Sequence, residues 1–117
     1  MTQEEVHGVH DYVSDPRNAD VLISVNGALK RREEAVVSVF DSGYLLGDGV
    51  WEGLRVLDGG VAFWPEHLKR LYAGAKTIDM DIGLAREELT ARLMDCLKAN
   101  GMQDGVHIRL MVTRGIK

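Results

Sequence analysis

The stretch SGYLLGDGVWEGLR, residues 42–55, decides the fold prediction. It contains four glycines, at positions 43, 47, 49 and 53, beside two acids, two aromatics and an arginine. Glycines clustered in extended chain mark a tight turn, a bulge or a close approach to the main chain. The second half of the stretch alternates like a β-strand as VWEGLRVL, and Asp58-Gly59-Gly60 and the apolar VAFW follow it. We therefore predict a strained turn that leads into the first strand of a hairpin.

The composition indicates one globular domain. The chain has 117 residues, 45% of them hydrophobic and 27% charged, with a formal net charge of −4. Lysines and arginines are scattered, so we expect neither nucleic acid nor an anionic membrane surface as a partner. The N-terminus lacks the basic start and apolar run of a secretory signal, and no apolar run reaches membrane-spanning length. A single cysteine, Cys96, cannot form an internal disulfide, which favours a reducing, cytoplasmic setting.

Periodicity predicts the remaining elements. Asn26-Gly27 after an apolar run is a strong signal for a β-hairpin, and AVVSVF at 35–40 is either a short strand or a buried connection. A helix is predicted from Pro65 to the break at MDIG (80–83), with a buried stripe of Leu68, Leu71, Tyr72, Ala75 and Ile78. A second helix is predicted from about Leu84 to Asn100 with Gly101 as its stop, and VHIRLMVT (106–113) alternates as a strand.

These elements predict an α+β fold with two helices packed on a mostly antiparallel sheet. Residues 1–20 are polar, acidic and without periodicity, and we expect a flexible extension there. His7 and His10 lie three residues apart in that segment, but nothing nearby completes a ligand set, so no metal site is expected. The folded domain is expected to cover residues 21–117.

Two predicted strands carry candidate site residues. Trp51, Gly53 and Arg55 share one strand face, and a ligand passing close to Gly53 would have Trp51 as a wall. Arg109 and His107 share the polar face of the last strand, whose other face is apolar. Two arginines on one sheet face repel each other unless they share solvent or an anion, and a carboxylate would suit them. The alternatives stay open: a core or interface aromatic for Trp51, and an exposed polar sheet face for the arginines.

Arg70 lies off the apolar stripe of the first predicted helix. It shares a helix face with His67 and Gly74, and a mid-helix glycine costs about 1 kcal/mol relative to alanine. That cost makes sense if another surface approaches the helix there. Arg70 is then either a solvated surface residue or a ligand for an anion.

Three other motifs carry little weight. The glycine pattern at 47, 49 and 53 is one residue too long for a dinucleotide fingerprint and precedes a strand instead of a helix. Asp48 and Glu52 lie four apart in extended chain, which is a weak signal for acid–base chemistry. Cys96 belongs to a helix core stripe and has no positive neighbour that would activate it.

Beyond spacing, the sequence resembles a known family. The segment FDSGYLLGDGVWEGLRVLDGGVAFWPEHLKRLYAGAKTIDM, together with VHIRLMVTRG, resembles the N-terminal small domain of class IV aminotransferases. These are pyridoxal 5'-phosphate enzymes of fold type IV and include branched-chain and D-amino-acid aminotransferases and aminodeoxychorismate lyase. The resemblance covers residues 21–117 and rests on G-D-G-V-aromatic-E, H-L-x-R-L and V-T-R-G in that order.

The resemblance implies that Arg70 binds the cofactor and that four residues bind the substrate: Trp51, Arg55, His107 and Arg109. Arg70 matches the arginine of H-L-x-R-L that binds the cofactor phosphate, and Trp51 matches the aromatic that lines the substrate pocket. Arg55 and Arg109 match arginines of the branched-chain members, the second of which helps hold the substrate carboxylate. His107 stands where those members have a tyrosine, and Leu110 where they have a proline.

The implied function is transamination between an amino acid and a 2-oxo acid, with branched-chain substrates slightly favoured. GDGV and VTRG look more like D-amino-acid enzymes, so a D-amino-acid aminotransferase or an aminodeoxychorismate lyase is the alternative within the family. The resemblance also implies a homodimer and a larger C-terminal domain with the Schiff-base lysine, which this chain lacks. We therefore expect no catalytic residue here and no activity from the chain alone. A non-catalytic binding or assembly module with this fold is the alternative from another class.

Overall fold

The structure, a computed structural model, describes residues 14–116. It contains two antiparallel sheets and three α-helices within those residues. The elements are β1 (Leu22–Val25), β2 (Ala28–Arg31), α1 (Ser42–Leu46), β3 (Gly49–Leu57), β4 (Gly60–Val61), α2 (Trp64–Thr77), α3 (Arg86–Asn100) and β5 (Val106–Thr113). Strands β1 and β2 form one sheet, and the other has the order β4-β3-β5. The α+β prediction is confirmed, with one helix more than expected.

The first hairpin turns where the sequence predicted. Asn26 and Gly27 both have positive φ angles, 53° and 85°, and Val25 pairs with Ala28. These angles are those of the two-residue turn that matches the twist of the flanking strands. Asn100, the last residue of α3, holds this hairpin: its Oδ1 accepts from the Leu22 N–H at 2.8 Å and its Nδ2 donates to the Leu22 carbonyl at 2.9 Å. The amide group thus completes the backbone pairing of β1 as a neighbouring strand would.

The hydrophobic core lies between β3–β5 and the two long helices. Leu54 and Val56 of β3 have no exposed surface, and they cluster with Leu93 and Leu97 of α3. The eight residue pairs of β3 and β5 run from Gly49–Thr113 to Val56–Val106. The inward face of β5 consists of Val106, Ile108, Leu110 and Val112, as the alternation predicted. Packing of both helices therefore fixes which side of this sheet faces outward.

Helix α2 lies close to β3 at its glycine. A Cβ on Gly74 would be 3.4 Å from Cγ1 of Val50, at van der Waals contact. A second surface does approach the helix there, which accounts for the mid-helix glycine as the sequence analysis proposed. Leu71 and Ala75 are buried, whereas Ile78 caps the helix and is 36% exposed, so the predicted stripe is one residue too long. Helix α3 begins at Arg86, two residues later than expected, and ends at Asn100 with Gly101 as its C-cap, as predicted.

Two predictions for the segment before β3 are wrong. Residues 35–40 form neither a strand nor a buried connection: Val36, Val37, Val39 and Phe40 are each more than 60% exposed. Residues Ser42–Leu46 form α1, which the sequence analysis missed. Asp41 caps this helix by accepting from the Gly43 N–H at 2.8 Å, and Gly47 ends it in the left-handed conformation. Tyr44, Leu45 and Leu46 of α1 are exposed, at 74, 54 and 69%.

The predicted flexible extension is only partly described. His7 and His10 lie outside the described residues. Arg17 hydrogen-bonds to the carbonyl oxygens of Asp104 and Gly105 at 2.8 and 2.9 Å, next to the start of β5. Within residues 14–116 no group of three metal-ligating side chains occurs. The same residues include no helix long and apolar enough to cross a membrane.

Candidate functional site

Six positions on the outward side of β3 and β5 form a surface that we call the outer face. It consists of Trp51, Gly53 and Arg55 of β3 together with their partners on β5, which are Met111, Arg109 and His107 respectively. The structure thus brings together all four predicted substrate-binding side chains. None of the six residues is acidic, and the face turns away from the core. Its net charge is positive, which suits an anion.

Gly53 lies at the centre of the outer face, below two rings. A Cβ there would be 3.3 Å from Cε1 of His107 and 3.7 Å from Cζ3 of Trp51. The bare backbone therefore lets both rings lie close to the sheet. A side chain at this position would displace the imidazole, because the contact is tighter than ordinary packing.

Arg109 stacks on the indole. Its guanidinium carbon is 5.1 Å from the Trp51 ring centroid, which is within the range of a cation–π contact. Such a contact restricts the guanidinium without using its N–H groups, so these stay available for a carboxylate. Within residues 14–116 neither Arg109 nor Arg55 forms an ion pair with a carboxylate.

The inward side of β3 carries a buried charge that sequence analysis did not assign. Glu52 is 5% exposed and lies between Trp51 and Gly53 in sequence, but on the helix side of the sheet. The His67 Nδ1 is 2.8 Å from its Oε1. The Arg70 Nε is 2.9 and 3.1 Å from Oε1 and Oε2, and its Nη2 is 2.8 Å from Oε1. Two residues of α2, one turn apart, therefore bind one carboxylate of β3.

The contacts of Glu52 decide its ionisation. Burial by itself raises the pKa of this carboxyl, but the hydrogen bonds from Arg70 and His67 outweigh burial and leave the pKa below its usual value. The same contact raises the pKa of the Arg70 guanidinium. Because an ionised carboxylate can only accept, Nδ1 of His67 must carry the proton that lies between them.

Arg70 keeps donor capacity beyond this contact. Its side chain is 70% exposed, Nε donates both hydrogen bonds to Glu52, and Nη2 lies 2.8 Å from Oε1 in an ion pair. In the part of the chain that the structure describes, Nη1 donates no hydrogen bond to another residue. An exposed guanidinium nitrogen held by its neighbours is a suitable donor to a phosphate oxygen.

The pairing of Asp48 and Glu52 is not present. Arg114 binds Asp48 through Nε at 2.7 Å and Nη2 at 3.2 Å, and it also donates to the carbonyl oxygens of Ile78 and Asp79. Asp48 thus belongs to a junction between β3, β5 and the end of α2. The weak acid–base signal of the two carboxylates gains no support, because their side chains have separate partners.

The structure divides the predicted site residues into two groups. Trp51, Arg55, His107 and Arg109 lie on the outer face, whereas Arg70 lies with Glu52 on the helix side. Sequence reasoning missed Glu52, although one signal was present. Glu52 alternates along the strand in step with Leu54 and Val56, which places it on the apolar face. A charge buried on that face requires partners.

A family profile described as amino-transferase class IV matches residues 49–117. The chain belongs to the class IV aminotransferases. This family depends on pyridoxal phosphate, and solved structures similar to the chain contain pyridoxal or pyridoxamine phosphate derivatives.

Three relatives describe the similarity. The chain is 47% identical over 102 residues to branched-chain-amino-acid aminotransferase-like protein 1 of Arabidopsis thaliana, covering 87% of this chain and 18% of that protein. It is 41% identical over 95 residues to D-alanine aminotransferase of Listeria monocytogenes, covering 81% and 32%. The solved branched-chain aminotransferase of the thermophilic archaeon Thermoproteus uzoniensis, with norvaline, superposes with a TM-score of 0.72 at 31% identity, covering 80% and 33%. The chain thus spans about a third or less of the length of these relatives.

Proposed function

We propose that this chain is the small domain of a pyridoxal-phosphate-dependent aminotransferase that exchanges an amino group between an amino acid and a 2-oxo acid. Branched-chain amino acids are the favoured substrates. The observation that carries this proposal is the outer face, where Arg55 and Arg109 lie beside Trp51 with no acid among the six residues. Two guanidinium groups would bind the substrate carboxylate, and the indole would contact the substrate side chain.

Arg70 fits the phosphate of the cofactor. Its exposed guanidinium retains Nη1 as a donor, and its positive charge complements a phosphate dianion. Pyridoxal phosphate, when bound, supplies the electron sink for transamination. The contribution of this chain is to hold the phosphate at Arg70 and to orient the substrate carboxylate at Arg109.

A ligand that contacts both Arg70 and the outer face must pass an edge of the sheet that contains β3. β4 pairs with β3 only at Val56 and Leu57, so no other described strand covers the β3 edge from residue 49 to residue 54. That edge separates Glu52 and its partner Arg70 from Trp51 by a single strand. The open edge would leave room for a cofactor held by Arg70 and a substrate held at the outer face.

The rest of the active site is proposed to lie outside this chain. Neither β3 nor β5 contains a lysine, so the outer face has no amine of its own to bind the cofactor covalently. A larger C-terminal domain would supply the Schiff-base lysine, in a cytoplasmic homodimer. The chain alone is then inactive, and 117-residue protein mixed with pyridoxal phosphate should show no amino transfer from leucine to 2-oxoglutarate.

The test uses the full-length protein with its larger domain. Amino transfer to 2-oxoglutarate should be faster from leucine than from D-alanine, and Arg109→Gln should raise the KM for leucine by about tenfold, the loss of one charge-assisted contact. Arg86→Gln is the matched control, because Arg86 also lies 5.1 Å from an aromatic ring, that of Tyr72, but away from the outer face. An unchanged KM in Arg109→Gln would contradict the assignment.

The relative from Listeria monocytogenes supports the D-amino-acid alternative, since it is named a D-alanine aminotransferase. Faster transfer from D-alanine than from leucine would favour that enzyme. Absence of transfer from either substrate would favour the lyase or the non-catalytic module.

A further inference from the structure

We propose that Glu52 is a positioning residue for Arg70: its buried carboxylate, braced by His67, orients the guanidinium plane so that Nη1 can bind the phosphate group of the cofactor. The inference rests on the proposed function, because it concerns how Arg70 performs the role assigned to it there. The bound group is a phosphate monoester, and Glu52 itself does not contact it.

The contacts of Arg70 with Glu52 define the plane of its guanidinium group. Nε donates to both carboxylate oxygens, at 2.9 and 3.1 Å, and Nη2 forms an ion pair with Oε1 at 2.8 Å. Because the guanidinium is planar and rigid, fixing two of its nitrogens also fixes the third. An arginine that is 70% exposed would otherwise sample many rotamers and lose that freedom on binding.

The carboxylate is itself held by two elements. Glu52 belongs to β3, whose pairing with β5 extends on both sides of it, from Gly49 to Val56. His67 binds the same oxygen as Arg70 from one turn earlier on α2. Gly74, one turn after Arg70, keeps α2 in contact with Val50. The carboxylate therefore cannot follow the arginine without breaking contacts to both the strand and the helix.

Two effects of Glu52 on phosphate binding oppose each other. Its negative charge offsets that of Arg70 and weakens the attraction for an anion, whereas its hydrogen bonds pre-organise the donor. Salt helps to separate the effects, because it weakens the charge effect, less for a buried carboxylate than for an exposed one, and leaves the orientation of a hydrogen-bonded group unchanged. At about 0.5 M KCl the Debye length is about 4 Å. Positioning then predicts a net loss of phosphate binding when the carboxylate is removed.

The first measurement compares two ligands. Dissociation constants of pyridoxal phosphate and of pyridoxal, which lacks the phosphate, are measured on the full-length protein in about 0.5 M KCl. Glu52→Gln keeps the size of the side chain. It should weaken the binding of pyridoxal phosphate by about tenfold and leave the binding of pyridoxal unchanged. Glu88→Gln, which removes an exposed acid paired with Arg92, is the matched control and should change neither. Equal loss for both ligands, no loss, or tighter binding of pyridoxal phosphate would overturn the inference.

A second measurement replaces the planar guanidinium group that Glu52 orients. In the Arg70→Lys background, Glu52→Gln should change the affinity for pyridoxal phosphate by less than about twofold, because an ammonium group has no plane to fix. A full tenfold loss in that background would overturn the inference. Arg70→Gln tests the proposed function separately: if it leaves the affinity for pyridoxal phosphate unchanged, Arg70 is not the phosphate ligand. A loss in Arg70→Gln without a loss in Glu52→Gln refutes only the positioning role.

The hydrogen bond between His67 and Glu52 provides a test that does not depend on the folding of Glu52→Gln. His67→Asn keeps an N–H donor near the position of Nδ1, and His67→Leu removes it. Positioning predicts that His67→Leu weakens the binding of pyridoxal phosphate by about threefold relative to that of pyridoxal. His67→Asn should restore the affinity. Equal affinities in the two variants would count against the brace.

Discussion

Gly49, the second glycine of the GDG motif, gives the sharpest prediction for the fold. A Cβ at this position would lie 2.6 Å from the carbonyl oxygen of Val112 and 3.2 Å from Cα of Thr113. Real Cβ atoms essentially never approach closer than 3.0 Å, so Gly49→Ala must separate β3 from β5 by at least about 0.4 Å. The obstructing atoms are backbone and cannot rotate away. The glycine is therefore needed for strand pairing.

The cost follows from what the separation breaks. Pairing ends at Gly49–Thr113 and Val50–Val112, so opening this end of the sheet weakens the terminal hydrogen bonds of β3. At about 1 kcal/mol for each net bond, together with the overpacking, we expect Gly49→Ala to lower the free energy of unfolding by about 2–3 kcal/mol. Typical domains have a total of about 5–15 kcal/mol, so the loss is large.

Urea denaturation followed by circular dichroism measures this difference. Gly53→Ala is the matched control, because its Cβ would meet the movable His107 ring at 3.3 Å, and we expect it to cost less than about 1 kcal/mol. The reasoning would be refuted if the two variants were equally stable, or if Gly53→Ala were the less stable of the two.

Three further outcomes follow from the structure. Leu54→Ala, at a position with no exposed surface, should lower the free energy of unfolding by about 2–5 kcal/mol, whereas Leu57→Ala, at 52% exposure, should cost less than about 1 kcal/mol; urea titration would show the contrast. The folded-state pKa of Glu52 lies below its usual 4.5, so the ionised carboxylate stabilises the fold fully above pH 4.5. This stabilisation is lost as the pH falls through the lowered pKa. The wild type should therefore lose more stability on acidification than Glu52→Gln. Trp51→Leu should raise the KM for the amino acid by about two- to fivefold through loss of the contact with Arg109, whereas Trp51→Phe should keep most of the affinity; similar KM values for the two variants would exclude this role of the ring.

Local signals in the sequence predicted most of the fold. Asn26-Gly27 specifies a turn through two positive φ angles, Gly101 specifies the end of α3, and alternation over 106–113 specifies both faces of β5. These features depend on neighbours along the chain. The same alternation placed Trp51 and Arg55 on one face, which the structure confirms.

The failures involve contacts between distant residues or elements too short for periodicity. Helix α1 has five residues, fewer than two turns, so no apolar period can develop in it. The apolar residues of 35–40 predicted a short strand or a buried connection, but Val36, Val37, Val39 and Phe40 are exposed. The partners of Glu52 lie 15 and 18 residues away on another element, and spacing alone cannot pair them.

Adjacent residues of β3 perform tasks on opposite sides of one strand. Trp51 faces outward and Glu52 faces α2, and the only separation between them is one peptide unit. Deleting or inserting a single residue between Gly49 and Arg55 would exchange these sides for the remainder of the strand, exposing the acid or burying the indole. This segment should therefore accept changes of side chain far more readily than changes of length, and homologous genes should preserve its codon count even where the encoded amino acids diverge.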